Sequence, residues 1–349
     1  MPLDEPSWWY TRKPTRLAVA LRPLAAVYGR LVIGRFARAS AQRTRVPVIC
    51  VGNFTAGGSG KTPVVMAIAR LLGRLGQRPA ILMRGYDGSL AGPVWVDAER
   101  HTAREVGDEA LLLAGVAPTL VSRDRSHGAD AITRDARAPT AIVMDDGMQN
   151  PRLAKSLTIA VVDAQRGVGN GEVIPAGPLR APLEFQLELI NAIVVAHQPG
   201  VPIDPDRDVH GWLRQRFQGP VIASATEPQG DLAWLQGARV VAYAGIANPQ
   251  RFFALVASLG GEVVRAITFK DHHAFSEADA TRLIGEARSA GAELVTTEKD
   301  MARLEGRQGR IAQLRASSRA IAIAATFAPD ELARLEALIA AALVTAAAN

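Results

Sequence analysis

Apolar residues occur in short blocks along most of this chain, and segments of helical periodicity separate the blocks. From residue 46 onward there are eleven such blocks, rich in valine, isoleucine and alanine. Most are continuous rather than alternating with polar residues, as is typical of strands buried on both faces of a parallel sheet. We therefore predict strands at Val46–Val51, Ala80–Met83, Thr119–Ser122, Ala141–Met144, Thr158–Asp163, Ala192–Ala196, Val221–Ala223, Val240–Ala244, Val263–Phe269, Leu294–Thr297 and Ala320–Ala324.

Alternation of strands and helices predicts an α/β protein with helices on both faces of its sheets. Eleven strands are many for one sheet, so we expect two α/β/α sandwich domains in this chain of 349 residues. A stretch rich in proline and charge near residues 200–235 suggests the seam between them. We accordingly predict domains at residues 46–225 and 226–349, the second closing with an alanine-rich helix.

A glycine-rich turn follows the first predicted strand. The sequence from Val51 reads VGNFTAGGSGKT, and a helical pattern begins at Pro63. This is the layout of a P-loop, in which backbone N–H groups cradle phosphates, a lysine faces the outer phosphates and a hydroxyl ligates Mg²⁺. The predicted nucleotide-binding residues are Thr55, Ala56, Gly57, Gly58, Ser59, Gly60, Lys61 and Thr62.

Two features test this interpretation of the turn. Thr55 departs from the usual pattern, which has glycine at that position. The alternative is a strand-to-helix turn that holds no ligand, but the Lys-Thr pair at the correct offset favours a P-loop. We therefore predict that the chain binds a nucleoside triphosphate and that its first domain is P-loop NTPase-like, with a mostly parallel sheet.

Two acids, Asp145 and Asp146, end the fourth apolar run. In a P-loop protein a carboxylate at the end of a neighbouring strand meets Mg²⁺, directly or through water. The alternative is a strand-end turn, since Asp-Gly is a frequent turn pair. With a P-loop in the same chain, we predict a magnesium site made by Thr62, Asp145 and Asp146; Asp163 ends the next run in a similar position, with weaker support.

Further polar residues allow two interpretations each. Asp108 begins a helical stretch and is either a helix cap or the base that takes a proton from an alcohol acceptor. Asp271, His272 and His273 suggest a proton relay rather than a metal site, because adjacent side chains diverge on an extended chain. The cluster Thr296–Asp300 is either a charged turn or a ligand-contacting loop, and Arg84 and Arg123 are either solvated or phosphate-binding.

Positive charge is concentrated in the first 45 residues. They hold nine Lys or Arg and two acids, a balance of +7, whereas the whole chain is +6, so residues 46–349 sum to −1. This distribution argues against a nucleic-acid-binding surface spread over the fold. The single cysteine, Cys50, permits no disulfide and indicates a reducing compartment.

The same segment, residues 1–45, mixes arginines with aromatic and aliphatic residues. Arg22, Pro23 and Arg30 interrupt it, so no uninterrupted apolar stretch reaches the ~18 residues of a spanning helix. Such a basic amphipathic helix suits an anionic membrane surface. The alternative is a helix packed on the protein's own core, with its arginines in water.

Short segments over nearly the whole chain match one family in the same order. They are Val51–Pro63, Arg84–Tyr86, Gly107–Glu109, Asp145–Gln149, Gly169–Gly171, Pro175–Arg180, Ala244–Pro249 with Phe252 and Phe253, Asp271–His273 and Thr296–Asp300. Together they make the chain resemble the tetraacyldisaccharide 4′-kinases, which phosphorylate the lipid A precursor at the inner membrane. Two departures are Met148 with Asn150, and Ala181, where the family often has an acid and this chain has only Glu184 nearby.

The resemblance implies a kinase that moves the γ-phosphate of ATP to the 4′-hydroxyl of an acylated glucosamine disaccharide 1-phosphate, with Mg²⁺. It implies that Asp108 is the base, that His272 is its partner and that Lys61 is catalytic. It also implies two α/β/α domains and a peripheral place on the cytoplasmic face of the bacterial inner membrane. We infer no nucleic-acid partner and no obligate protein partner.

Two other functions compete with this one. A P-loop GTPase or ATPase switch would hydrolyse nucleotide with water and carry a guanine-reading Asn-Lys-x-Asp loop, which Thr297–Asp300 only half resembles. A soluble small-molecule kinase would use residues 1–45 only for packing. Acceptor-independent GTP turnover would favour the first, and membrane association that depends on residues 1–35 would argue against the second.

Overall fold

Twelve strands form one continuous sheet in the computed structural model, which describes residues 5–11, 13–198 and 208–347. The strands are β1 Val48–Gly52, β2 Pro79–Met83, β3 Val94–Trp95, β4 Thr119–Val121, β5 Ala141–Asp145, β6 Leu157–Asp163, β7 Ala192–His197, β8 Val221–Gln229, β9 Arg239–Ala244, β10 Glu262–Thr268, β11 Glu293–Thr297 and β12 Ser318–Thr326. Their order across the sheet is β10-β9-β11-β12-β8-β7-β6-β1-β5-β2-β4-β3.

Helices cover both faces of this sheet. They are α1 Arg16–Arg38, α2 Lys61–Arg74, α3 Ala103–Val106, α4 Asp108–Ala114, α5 Arg125–Thr133, α6 Leu183–Glu188, α7 Val209–Arg214, α8 Pro249–Ser258, α9 Glu277–Ala290, α10 Glu298–Arg303, α11 Gly309–Ser317 and α12 Pro329–Ala347, with 3₁₀ turns at Ser7–Tyr10 and Ala233–Leu235. In the first half of the sheet α2, α4 and α12 pack on one face and α5 and α7 on the other. In the second half α9 and α11 oppose α8. The predicted α/β fold is thus confirmed.

All eleven predicted strands are present. The central ones, such as β1 and β5, are buried along their whole length between the helices on the two faces of the parallel part of the sheet. The strand β3 was not predicted, since two residues carry no periodic signal. The two halves of the sheet join where β12 pairs antiparallel with β8, with Ala324 opposite Glu227. The sequence did not predict this junction, because nothing in a strand's own pattern shows which neighbour it takes.

The predicted domain limit at residue 225 falls inside β8. The helix α12 packs through Leu335 and Ile339 on the same core as the P-loop strand, although the predicted division assigns it to the second domain. Residues 199–207, at the start of the predicted seam, lie outside the described residues. The division into residues 46–225 and 226–349 stays a prediction.

The helix α1 lies on the surface and is mostly exposed. Its small residues Ala18, Ala25 and Gly29 are buried, and a Cβ at Gly29 would lie 3.2 Å from Pro182. Large apolar side chains remain exposed to solvent, with 60% of Leu24 and 64% of Leu31 accessible. The helix therefore contacts the rest of the protein through a narrow face of small residues, and the membrane-surface helix and the helix packed on the core both stay predictions.

Candidate active site

The glycine-rich turn links the end of β1 to the start of α2. Gly57 has φ +89° and Gly60 has φ +80°, backbone conformations that residues with a Cβ seldom adopt. The Asn53 amide donates a hydrogen bond of 2.7 Å to the Thr55 carbonyl, which fixes the start of the turn. The Ser59 hydroxyl is buried without a protein partner, as expected for a group that faces a ligand. The turn therefore has the geometry of a phosphate cradle.

The acids at the end of β5 lie beside this turn because β5 is the neighbour of β1. Val51 stands opposite Asp145 in the parallel register, and the Asp146 N–H donates to the Val51 carbonyl at 2.9 Å. Asp146 Oδ1 lies 3.6 Å from Lys61 Nζ. The sheet thus brings Lys61 and both predicted magnesium carboxylates to one edge.

The two carboxylates have opposite electrostatic environments. Burial raises the pKa of Asp145 to about 7, and the nearby Glu109 charge adds to this effect. Burial also acts against ionisation of Asp146, but Lys61 and Arg180 outweigh it and hold the pKa below its ordinary value. Arg180 NH1 donates to Asp146 at 2.7 Å.

The donors present fit a magnesium ion bound together with a nucleotide. Asp145 Oδ1 is buried with no hydrogen-bond partner in the described structure, so a cation there would satisfy it. Among the described residues no group of three or more His, Cys, Asp or Glu could hold a metal alone. Magnesium in nucleotide sites takes only one or two carboxylates, with phosphate and water oxygens completing the shell.

Asp108 is the first residue of α4, and Gly107 before it has φ +89° and occupies the N-cap position. Asp108 is therefore not the cap, which was one of its two sequence interpretations. Its Oδ1 accepts the Glu109 N–H at 2.9 Å, and its Oδ2 lies 3.4 Å from His272 Nδ1. The fold thus brings together the predicted base and partner, which are far apart in sequence.

His272 lies in the loop after β10, with φ +56°, an uncommon value for a residue other than glycine. The hydrogen bond to Asp108 is the main cause that raises the pKa of His272. His273 points elsewhere: its ring stacks on Phe269 and its Nε2 lies 3.0 Å from Asp279 Oδ2. The two histidines diverge, as the sequence predicted.

The cluster Thr296–Asp300, whose role the sequence left open, reaches the same place. Lys299 Nζ lies 2.5 Å from Glu109 Oε1, and Arg303, one turn further along α10, lies 2.5 Å from Asp108 Oδ2. Glu109 Oε1 in turn accepts a hydrogen bond of 3.3 Å from the Thr62 hydroxyl. A continuous polar network therefore joins the P-loop, α4 and α10.

The remaining candidate residues are exposed or contact groups outside this polar network. Arg84 is exposed, and Arg123 donates to the Gly88 carbonyl at 3.2 Å. Asp163 is buried and forms a 2.7 Å ion pair with Arg251 of α8. Sequence reasoning missed Arg125, which is buried and donates to the Asp145 carbonyl at 3.1 Å; its position two residues beyond Arg123 gave no separate signal.

The chain is similar to proteins of known activity over most of its length. A model of the family described as "Tetraacyldisaccharide-1-P 4'-kinase" matches residues 17–343. A tetraacyldisaccharide 4'-kinase of Methylorubrum extorquens is 49% identical over 302 residues, covering 86% of this chain and 89% of the relative. One of Nitrobacter hamburgensis is 43% identical over 338 residues, covering 97% of each.

A solved structure shares the fold. It is described as the "apo" form of LpxK from Aquifex aeolicus in complex with ATP, and it superposes with a TM-score of 0.73 at 24% identity, covering 94% of this chain and 99% of that one. The sequence matches and this fold agree with the resemblance drawn from the short motifs. The chain therefore belongs to the tetraacyldisaccharide-1-P 4′-kinase family and is an ATP-dependent 4′-kinase of lipid A biosynthesis.

Proposed function

We propose that the site around Lys61 and Asp108 performs the transfer from ATP to the 4′-hydroxyl of an acylated glucosamine disaccharide 1-phosphate. One observation carries this assignment: the Thr62 hydroxyl is hydrogen-bonded to Glu109, the residue next to Asp108. A P-loop holds the outer phosphates at this end of α2, so the phosphate to be moved and a carboxylate able to take a proton are neighbours.

The nucleotide lies against residues 55–62, with Lys61 neutralising charge on the outer phosphates. Thr62, Asp145 and Asp146 would hold the magnesium ion, which would offset the negative charge of the phosphates. The Lys61 ammonium donates a hydrogen bond of 3.0 Å to Asn53 Oδ1, which holds it beside the P-loop. Phosphoryl transfer requires little beyond such positioning and charge neutralisation.

Asp108 accepts the proton of the 4′-hydroxyl, and His272 is its partner. The pair lies 3.4 Å apart and is shielded from water on the Asp108 side, where 5% of the carboxylate side chain is exposed. His272 retains 23% exposure of its side chain, so a sugar hydroxyl can approach from that side. The exposed Tyr86 ring, 5.7 Å from the His272 ring, flanks this approach.

The enzyme works at an anionic membrane surface, on the cytoplasmic face of the inner membrane, with α1 lying in the interface. By length and composition α1 could also span a bilayer. Its contacts favour the interface: Arg22 pairs with Glu172, and Phe36 packs edge-on against Phe185. The exposed apolar side then faces the acyl chains where the acceptor resides.

The reaction needs neither nucleic acid nor an obligate protein partner. The acceptor binds between the P-loop edge and the loop that carries His272. Ala181, at the position where relatives often have an acid, is fully buried, and Glu184 is exposed on the first turn of α6. We assign neither residue a role in binding metal.

The test is to incubate the full chain with ATP labelled at the γ-phosphate, Mg²⁺ and an acylated glucosamine disaccharide 1-phosphate, then to locate the label. We expect it on the 4′-oxygen. Lys61→Ala should cripple transfer, whereas Arg74→Ala, at the other and exposed end of α2, should leave it unchanged. Acceptor-independent GTP turnover with no labelled lipid would support the switch hypothesis instead.

A further inference from the structure

Two cations on α10 hold the two carboxylates that begin α4. Lys299 contacts Glu109 and Arg303 contacts Asp108, each at 2.5 Å. Lys299 and Arg303 are four residues apart, so they lie on one face of the helix, one turn from each other. The proposed reaction assigns no role to either cation, yet both end at its centre.

Arg303 makes more of these contacts than Lys299. Its Nε and NH2 both donate to Asp108 Oδ2, at 2.8 and 2.5 Å. Its NH1 donates to Asp300 Oδ1 and to the Gly245 carbonyl, each at 2.5 Å. Only 9% of Arg303 is exposed. A planar guanidinium suits such a fixed set of acceptors, whereas an ammonium on a flexible stem does not.

The Gly245 carbonyl connects Arg303 to the second member of the proposed pair. It also accepts the backbone N–H of His272 at 3.1 Å, and the Gly245 N–H donates to Asp300 at 3.0 Å. One guanidinium therefore fixes the Asp108 carboxylate directly and the start of the His272 loop through a shared oxygen. Among the described residues, no other side chain donates hydrogen bonds to both the Asp108 carboxylate and the Gly245 carbonyl.

We propose that Arg303 is the positioning residue of the Asp108–His272 pair. The inference rests on the proposed function, because it takes this pair as the proton acceptor. Arg303 orients the carboxylate and holds the His272 loop at the distance that the reaction needs. A shift of about 1 Å in such a geometry can cost about 10²-fold in rate.

The charges around Asp108 allow this role to be separated from a merely structural one. Arg303 and Lys299 of α10, Glu109 of α4 and His272 of the facing loop all lie next to it, and Asp300 and Asp271 lie behind Arg303 and His272. Burial acts to raise the pKa of Asp108, while the hydrogen bond with His272 and then the charge of Arg303 lower it. The hydrogen bond to Asp108 raises the pKa of His272, and Arg303 opposes that rise.

The experiment measures kcat, KM for ATP and the pH profile of kcat for Arg303→Met and Arg303→Lys, in the full chain with the acylated disaccharide 1-phosphate. For Arg303→Met we expect kcat to fall by about 10²-fold, KM for ATP to stay near the wild-type value, and the acidic limb to move to higher pH. Arg303→Lys keeps the positive charge, so the acidic limb of its pH profile should stay at the wild-type pH. Its kcat should fall less than that of Arg303→Met. Arg315→Met is the matched control, since Arg315 pairs with Glu305 at the surface and should behave as wild type.

Each outcome decides the inference. Unchanged kcat in both Arg303 variants overturns it, and so does a lower kcat with an unmoved acidic limb in a folded Arg303→Met. If Arg303→Met fails to bind ATP or loses its circular dichroism, Arg303→Lys decides alone: wild-type kcat overturns the inference, and a lower kcat with unchanged KM for ATP supports it. Wild-type enzyme that labels no acceptor overturns the proposed function, and this inference with it.

Discussion

Arg180 NH1 lies 2.7 Å from Asp146 Oδ1, the same oxygen that Lys61 approaches to 3.6 Å. Arg180 Nε also donates to the Thr55 carbonyl at 2.9 Å, so one side chain joins the loop before α6 to the P-loop. A magnesium ion that binds Asp146 must share this carboxylate with two cations. If Asp146 is a metal ligand as proposed, we expect the balance among these charges to set the magnesium concentration that transfer requires.

Asp146→Asn should therefore raise the Mg²⁺ concentration needed for half-maximal transfer by about tenfold or more, because an amide is a weaker ligand than a carboxylate. The measurement is a Mg²⁺ titration of initial rate at fixed ATP. Asp135→Asn is the control, since Asp135 pairs with Arg137 after α5. An unchanged Mg²⁺ requirement in Asp146→Asn would remove Asp146 from the metal site.

Asp108→Asn should lower turnover by roughly 10²-fold or more, because it removes a positioned proton acceptor while keeping the shape of the side chain. ATP affinity, measured by calorimetry, should stay close to wild type, since Asp108 lies beside the P-loop rather than in it. Near-wild-type turnover would exclude Asp108 as the base. Loss of ATP binding would mean that the variant disturbs the fold instead.

His272→Gln should cost more stability at pH 6 than at pH 8.5. The pKa of His272 is raised in the folded protein, chiefly by its hydrogen bond to Asp108. A raised pKa gives stability that is fully present below the unfolded pKa of about 6.5 and is lost as pH rises through the folded value. The measurement is the difference in Tm from wild type at each pH, with His127→Gln, an exposed histidine on α5, as the control. An equal decrease in Tm at both pH values would contradict a charged pair between His272 and Asp108.

Alanine at two glycines should have opposite effects. Gly107 has φ +89° and an added Cβ would lie 2.6 Å from the Tyr86 carbonyl, so Gly107→Ala should destabilise the fold by at least about 1–2 kcal/mol. Gly73 lies in α2 with open space around it, so Gly73→Ala should stabilise by about 0.5–1 kcal/mol. Urea denaturation measures both. Stabilisation by Gly107→Ala would show that the turn before Asp108 is not strained for other residues.

The exposed face of α1 should govern membrane binding. Leu24→Gln with Leu31→Gln should weaken binding to anionic phospholipid vesicles by about tenfold per residue, because burying a leucine is worth about 1.5–3 kcal/mol. Sedimentation with vesicles measures this, and turnover of a water-soluble acceptor should be retained. Leu75→Gln, an exposed leucine at the end of α2, is the control. Unchanged vesicle binding would argue for a role of α1 in packing alone.

Local patterns in the sequence determined much of this protein. Strands buried on both faces are apolar along most of their length, as residues 141–144 of β5 are, so their positions could be predicted directly from the sequence. The P-loop could also be predicted, because the conformation of Gly57 and Gly60 depends on residues within a few positions. The excess of positive charge in residues 1–45 likewise follows directly from the amino-acid composition of that segment.

Only the tertiary structure decided which side chains meet. Arg303 reaches Asp108 across 195 positions, and Lys299 reaches Glu109 across 190, so no local spacing could indicate either pair. The order of the strands could not be predicted from local patterns either. The strand β12 pairs with β8 and so joins the two halves into one sheet, where the number of strands had suggested two. The physical reason is that periodicity records how deeply a residue is buried, whereas a contact between distant carboxylates and cations depends on how whole elements pack.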